Sequence, residues 1–135
     1  MNKKRLLLLA RYLETVPKKK FDMTTWKCGT KGCAIYHASK IPELKKAGLS
    51  MKNDCPRMKG KIGHSSQVWL LLGNNRTDTV FGMDAVSMLF DITLNQSEFI
   101  FGCEFFASYP TPKTTPKEVA KTIRQFVKSN GQSAL

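Results

Sequence analysis

Acidic residues and long apolar runs are both scarce in this sequence of 135 residues. Only 10 residues are Asp or Glu, against 22 that are Lys or Arg, and the formal net charge is +12. The apolar run at residues 6–10 has five members, whereas a membrane-spanning helix needs about 20 apolar residues in succession. The sequence therefore predicts no transmembrane helix, and it predicts a surface that attracts anions.

Cysteine is scarce as well. Four cysteines in 135 residues are too few for a disulfide scaffold. Arg11 and Glu14 interrupt the apolar stretch that a signal peptide would need after its basic start. We therefore expect reduced thiols and a cytoplasmic protein.

The sequence contains none of the common catalytic or nucleotide-binding motifs. Gly-x-Ser-x-Gly, His-Glu-x-x-His and the Walker phosphate loop are all missing. The only histidines are His37 and His64, which we expect on different elements. These absences predict a protein that is not an enzyme and that carries no cofactor.

The positive charge is concentrated in the first half of the chain. Sixteen basic and four acidic residues precede Ser65, whereas residues 65–112 carry a net charge of −4. A compact chain of this charge repels itself, and nucleic acid is the most common polyanion that compensates such repulsion. Lysine outnumbers arginine by 17 to 5, which argues against base-specific recognition because bidentate contacts to guanine favour arginine. The alternative is that the lysines only solvate the surface.

The hydrophobic pattern predicts one domain over residues 1–135. The fold class is α+β, mainly α, with about five helices and one short β-hairpin. The predicted helices cover residues 3–15, 31–40, 42–47, 83–90, 94–102 and 116–128, with N-caps that include Asn2, Thr30, Thr93 and Thr115. The hairpin is predicted from residues 67–72 and 79–81, and residues 50–66 are predicted to be rich in turns.

One segment resembles a known sequence pattern. Residues 21–35, FDMTTWKCGTKGCAI, are similar to a stretch in small phage and bacterial proteins of uncharacterised activity, where Phe-x-Met-x-x-Trp precedes Cys-Gly-Thr-x-x-Cys. Residues 81–85 and 115–119 resemble two further stretches of that family, and Tyr36 departs from it where the family has a small residue. The resemblance implies a phage or mobile-element protein that acts in a host cell, and its context suggests counter-defence.

A cluster of soft metal ligands is present at Cys28, Cys33 and His37. In a helix that begins at residue 31, Cys33 and His37 would share one face. Tetrahedral zinc would need a fourth ligand from Cys55 or His64, and the spacing Cys-x4-Cys-x3-His is not a common zinc pattern. The sequence therefore favours buried thiols over a metal site.

The best candidates for anion binding are basic residues near aromatic ones. Aromatic rings can stack on bases while lysines contact phosphates. The candidate anion-binding residues are Lys18, Lys19, Lys20, Lys27, Lys31, Arg57, Lys59 and Lys61, and the candidate stacking residue is Trp69. The first five flank Trp26, and the backbone N–H groups of the helix predicted at residue 31 could hold one phosphate unless Thr30 caps them.

Together these observations predict a non-enzymatic basic protein that binds a polyanion, either nucleic acid or a phosphate-bearing nucleotide. A nucleotide would need a concave pocket, whereas a nucleic-acid strand would need an open basic stripe. The first alternative is a protein–protein inhibitor that blocks a nucleic-acid contact on a host defence complex. The second is a small zinc-dependent enzyme built on the cysteine and histidine cluster.

Overall fold

Helices make up most of the fold. The computed structural model describes residues 1–23, 27–28, 31–52, 55–59, 79–102 and 114–132. The helices in this part are α1 (Lys3–Leu13), α2 (Ala34–Ala38), α3 (Pro42–Lys46), α4 (Gly82–Phe90), α5 (Leu94–Phe101) and α6 (Pro116–Lys128). The strands are β1 (Lys27–Cys28), β2 (Lys31–Gly32), β3 (Leu49–Lys52), β4 (Cys55–Lys59) and β5 (Thr79–Phe81). The fold is therefore α+β and mainly α, which confirms the predicted class.

The core is centred on the contact between α1 and α6. Lys3, at the start of α1, donates a hydrogen bond to Asn130 beyond the end of α6, whereas Glu14, just after α1, pairs with Arg124. The two helices therefore run antiparallel. Their facing sides bury the apolar positions that the helical spacing indicates, namely Leu6, Leu9, Ala10 and Leu13 from α1 and Val119, Ala120, Ile123 and Phe126 from α6.

Side-chain caps begin α1, α5 and α6 as predicted. The side chain of Asn2 accepts a hydrogen bond from the backbone N–H of Arg5 at the start of α1. Thr115 and Glu118 form a complete capping box on α6, and Thr93 forms one with Gln96 on α5. Each box satisfies two backbone N–H groups that would otherwise lack partners, so these helix starts are determined locally.

Helices α4 and α5 are joined by a tight corner and contact each other. Asp91 ends α4 in the left-handed conformation, with φ of 53°, and so turns the chain before α5. The Ser87 and Ser97 hydroxyl oxygens are 2.6 Å apart, both residues are fully buried, and the Ser97 hydroxyl also donates to the carbonyl of Thr93. Buried hydroxyls need such partners, so this hydrogen-bonded chain sets how α4 packs on α5.

The antiparallel sheet β3-β4-β5 differs from the predicted hairpin. Strand β5 does exist at residues 79–81, but it pairs with β4, and β4 pairs with β3. Residues 67–72, the expected partner of β5, lie outside the described residues. The prediction of turns across residues 50–59 was wrong for β3 and β4, because cross-strand hydrogen bonds hold this polar segment extended.

A second small hairpin precedes α2. Strand β1 pairs with β2, which places Lys27 opposite Gly32 and Cys28 opposite Lys31. Helix α2 therefore begins at Ala34, after Cys33. The prediction of a helix that starts at residue 31 with Thr30 as its N-cap was wrong. Helix α3 begins at Pro42 and ends before Gly48, whose φ of 112° requires glycine, so this part of the prediction is confirmed.

In the described part of the chain, none of the helices is long and apolar enough to cross a membrane.

Candidate nucleic-acid interface

The three-stranded sheet has one buried face and one exposed face. Side chains alternate along a strand, so each cross-strand row of residues faces one side. One row, formed by Leu49, Met58 and Val80, is buried against the core. The opposite side, which we call the outer sheet face, carries Ser50, Lys52, Cys55, Arg57, Thr79 and Phe81.

The centre of the outer sheet face is the pair Arg57 and Phe81. The register places them directly opposite one another on β4 and β5, and the guanidinium carbon lies 4.5 Å from the ring centroid. Phe81 is still 48% exposed with the arginine in place, the largest exposure of any large hydrophobic side chain in the described part. An exposed aromatic ring packed against a guanidinium presents planar surface on which a ligand ring can stack.

Positive charge surrounds the ring of Phe81 on the outer sheet face. The Nε atom of Arg57 is buried and has no hydrogen-bond partner among the described residues. Lys52 lies exposed on the same face, and the next residue pair along β4 joins Lys59 to Thr79. The outer sheet face therefore combines a stacking surface with positive charge, which suits a ligand that has both planar rings and phosphates.

Lys18, Lys19 and Lys20 form a second exposed basic feature. They make a single 3-10 turn after Pro17, and all three side chains are exposed, as the sequence predicts. None of the three has an ion-pair partner in the described part of the chain. Three exposed lysines on one turn can attract a polyanion over several ångströms at low salt.

The structure brings the backbones of other candidate residues next to this turn. Strand β2, which contains Lys31, contacts the turn, and Phe21 forms a parallel bridge with Gly32. Strand β1, which contains Lys27, pairs with β2. Lys61 and Trp69 lie outside the described residues, as does Trp26. Arg57 and Lys59 belong to a different sheet, so the candidate residues form two groups instead of one.

His37 holds the basic turn in place from inside the protein. Its ring is buried, and its Nε2–H donates to the backbone carbonyl of Lys20 at 2.8 Å. Phe21 and Tyr36 pack edge-on against the same ring. Burial lowers the pKa of His37 below its ordinary value of 6.5, and the charges of Lys40 and Lys20 act in the same direction against the raising effect of the hydrogen bond.

This pKa shift predicts a loss of stability in mild acid. The unfolded chain takes up the proton near pH 6.5, before the folded protein does, so the free energy of unfolding falls as the pH drops below 6.5. Above pH 6.5 this contribution is constant. Melting temperatures at about pH 7.5 and 5.5 should therefore differ more for the wild type than for His37→Gln, which keeps an N–H donor without a titrating ring. Equal pH dependence of the two proteins would contradict the assignment.

The cysteine and histidine cluster is arranged differently from the prediction. Cys33 is the buried N-cap residue of α2 and has an extended backbone, so it lies outside the helix that contains His37. The Nε2 atom of His37 is engaged by Lys20, and Cys55 lies on β4 of the other sheet. Among the described residues no group of three or more His, Cys, Asp or Glu side chains could hold a metal ion. The side chain of Cys28 and all of His64 lie outside the described residues.

Sequence reasoning missed Phe81 as a functional residue. The signal was present in the alternation Thr79-Val80-Phe81, where a buried Val80 implies that Phe81 points to the other side. Lys52 was missed in the same way, because residues 50–66 were predicted to be rich in turns and it lies instead on β3. Both omissions follow from the failure to predict β3 and β4.

The chain matches no protein-family model, no curated protein and no solved structure.

Proposed function

We propose that this protein binds single-stranded nucleic acid without strong sequence preference, through the outer sheet face. The observation that carries the proposal is the Arg57 guanidinium stacked beside the half-exposed ring of Phe81. Bases stack on exposed aromatic rings whatever their identity, and arginine adds both a stacking plane and a phosphate contact.

Charge supports a nucleic-acid ligand over an apolar one. Lys52 is exposed on the same face of the sheet as Arg57, and Lys18, Lys19 and Lys20 are exposed on a separate turn. The net charge of +12 favours fast, salt-dependent association with any polyanion. Strand β4 contains a second basic residue, Lys59, two positions after Arg57.

The proposal is tested with a labelled oligothymidine titrated at low salt. Phe81→Ala should weaken binding by about 1–3 kcal/mol, the usual value of one base–aromatic stack, which corresponds to about fivefold to 150-fold. Arg57→Lys retains the charge but loses the guanidinium plane, so we expect weaker binding with an unchanged salt dependence.

Two residues provide matched controls. Leu94 is another exposed apolar side chain, 40% exposed, at the start of α5. Lys40 lies 4.6 Å from the ring of Tyr36, a second cation–π pair whose ring is buried and cannot stack on a base. Leu94→Ala and Lys40→Ala should bind nearly as the wild type. If Phe81→Ala binds as tightly as Leu94→Ala, or if the wild type does not bind at low salt, the proposal is wrong and a protein partner becomes the better hypothesis.

A further inference from the structure

The outer side of α6 carries a basic stripe formed by Lys117, Lys121, Arg124 and Lys128, all of which are exposed. Their spacing of four, three and four residues places them on one side of a helix with 3.6 residues per turn. At 1.5 Å per residue the stripe is about 16 Å long. The other side of α6 is buried in the core, so the orientation of the stripe is set by the packing of the helix.

The stripe borders a shallow groove of about 410 Å³ at the end of α1. Its lining consists of charged and amide side chains, namely the four stripe residues with Glu14 and Gln125. Glu14 pairs with Arg124, whereas the three stripe lysines have no ion-pair partner among the described residues. The groove is therefore strongly positive, with one carboxylate at its edge.

The row of like charges on α6 lowers the stability of the protein when no ligand is bound. Like charges three and four residues apart on a helix repel one another. Lys117 in addition lies in the first turn of α6, where the helix dipole disfavours a positive charge. A polyanion lying along the stripe would relieve both repulsions.

We infer that the basic stripe on α6 binds the phosphate backbone of duplex nucleic acid. None of the described residues that line the groove is aromatic or apolar, so they offer no ring on which a base could stack and no apolar anchor for a protein partner. The apolar side of α6 is already buried, so it cannot insert into a membrane surface. A row of cations without stacking groups suits phosphates that are contacted without regard to sequence.

The inference extends the proposed function to a second surface and to double-stranded nucleic acid, but it depends on different residues. Glu14 has a defined role in it: its carboxylate neutralises Arg124 and repels phosphate. Removing this charge should therefore strengthen binding, which is the opposite of the effect of removing a stripe lysine.

The experiment measures binding of a labelled duplex at several salt concentrations. The slope of the logarithm of the association constant against the logarithm of the salt concentration should become shallower by about 0.9 for each contacting lysine that is removed. Lys117→Ala/Lys121→Ala removes two such lysines, so its slope should change by nearly twice this amount. Glu14→Gln should bind the duplex several-fold more tightly than the wild type at low salt. The control is Lys45→Ala/Lys46→Ala, which removes the same charge from exposed positions on α3 and should leave the slope unchanged.

Three outcomes would overturn the inference. In the first, the lysine double variant has the same salt slope as the α3 control. In the second, Glu14→Gln binds the duplex no more tightly than the wild type. In the third, the stripe lysines are needed for binding to polyglutamate but not for binding to the duplex. Lys117→Gln/Lys121→Gln, which retains longer side chains and a helix propensity like that of lysine, serves as a second variant if the alanine variant melts early. Phe81→Ala, measured in parallel, should weaken oligothymidine binding and leave the salt slope for the duplex unchanged, so failure of either proposal is seen separately.

Discussion

Replacing Phe126 by alanine is expected to lower the free energy of unfolding by about 3–5 kcal/mol. Phe126 is fully buried on α6 and packs into the core shared with α1. Removal of the ring deletes its buried apolar surface and leaves a cavity that the packed helices cannot fill completely. Because small domains are stable by only about 5–15 kcal/mol, the variant should lose a large part of its total stability.

Urea denaturation followed by circular dichroism measures this loss. Leu9→Ala and Leu13→Ala, from the facing side of α1, should each cost about 2–5 kcal/mol. The control is Leu7→Ala, because Leu7 is 37% exposed on the same helix and should change stability much less. If Phe126→Ala and Leu7→Ala had the same midpoint, the contact between α1 and α6 would not be the centre of the core.

The buried serine pair is expected to respond asymmetrically to substitution. Ser97 bridges Ser87 and the carbonyl of Thr93, so Ser97→Ala leaves the buried Ser87 hydroxyl without the partner that it has now. We expect this to cost about 1–3 kcal/mol, the usual penalty for a buried polar group that loses its partner. Ser87→Ala should cost less, because Ser97 retains the carbonyl of Thr93.

A double-mutant cycle separates this effect from simple loss of packing. In Ser87→Ala/Ser97→Ala no hydroxyl is left without a partner, so the double variant should be more stable than Ser97→Ala alone. The test compares the denaturation midpoints of the wild type, the two single variants and the double variant. Strictly additive costs, or a larger loss for Ser87→Ala, would show that the order of donors and acceptors in the structure is wrong.

Local signals predicted the longer helices well. Asn2, Thr93 and Thr115 cap helices where expected because a capping side chain bonds to a backbone N–H only two or three residues away. The buried sides of α1 and α6 likewise follow from apolar spacing within one helix. These features depend on contacts within a single turn or a single helix face, so they can be predicted from residues that are close together in the sequence.

The failed predictions all involve pairing between distant segments. Thr30 looked like a helix cap, but Lys31 and Gly32 instead pair with β1 and the helix starts three residues later. The polar segment at residues 50–59 looked like turns, but β3, β4 and β5 hold one another extended. Strand pairing depends on a partner that periodicity in one segment cannot reveal.

The two candidate interfaces were also only partly predictable from the sequence. The basic sequence around Arg57 was recognisable, but its stacking on Phe81 depends on the register that joins β4 to a strand more than 20 residues away. The spacing of the α6 stripe is visible in the sequence, whereas its contact with Glu14 comes from the antiparallel packing of α1.

The charge, the helix caps, the apolar helix faces and the α+β class can be predicted from the sequence, because each arises from composition or from residues close together in the chain. Strand pairing, the exposed side of the sheet, the contact of His37 with the basic turn and the carboxylate beside the α6 stripe depend instead on the tertiary structure. Burial and strand register are set by the whole packed core, and a one-residue change in register moves every side chain of a strand to the opposite face.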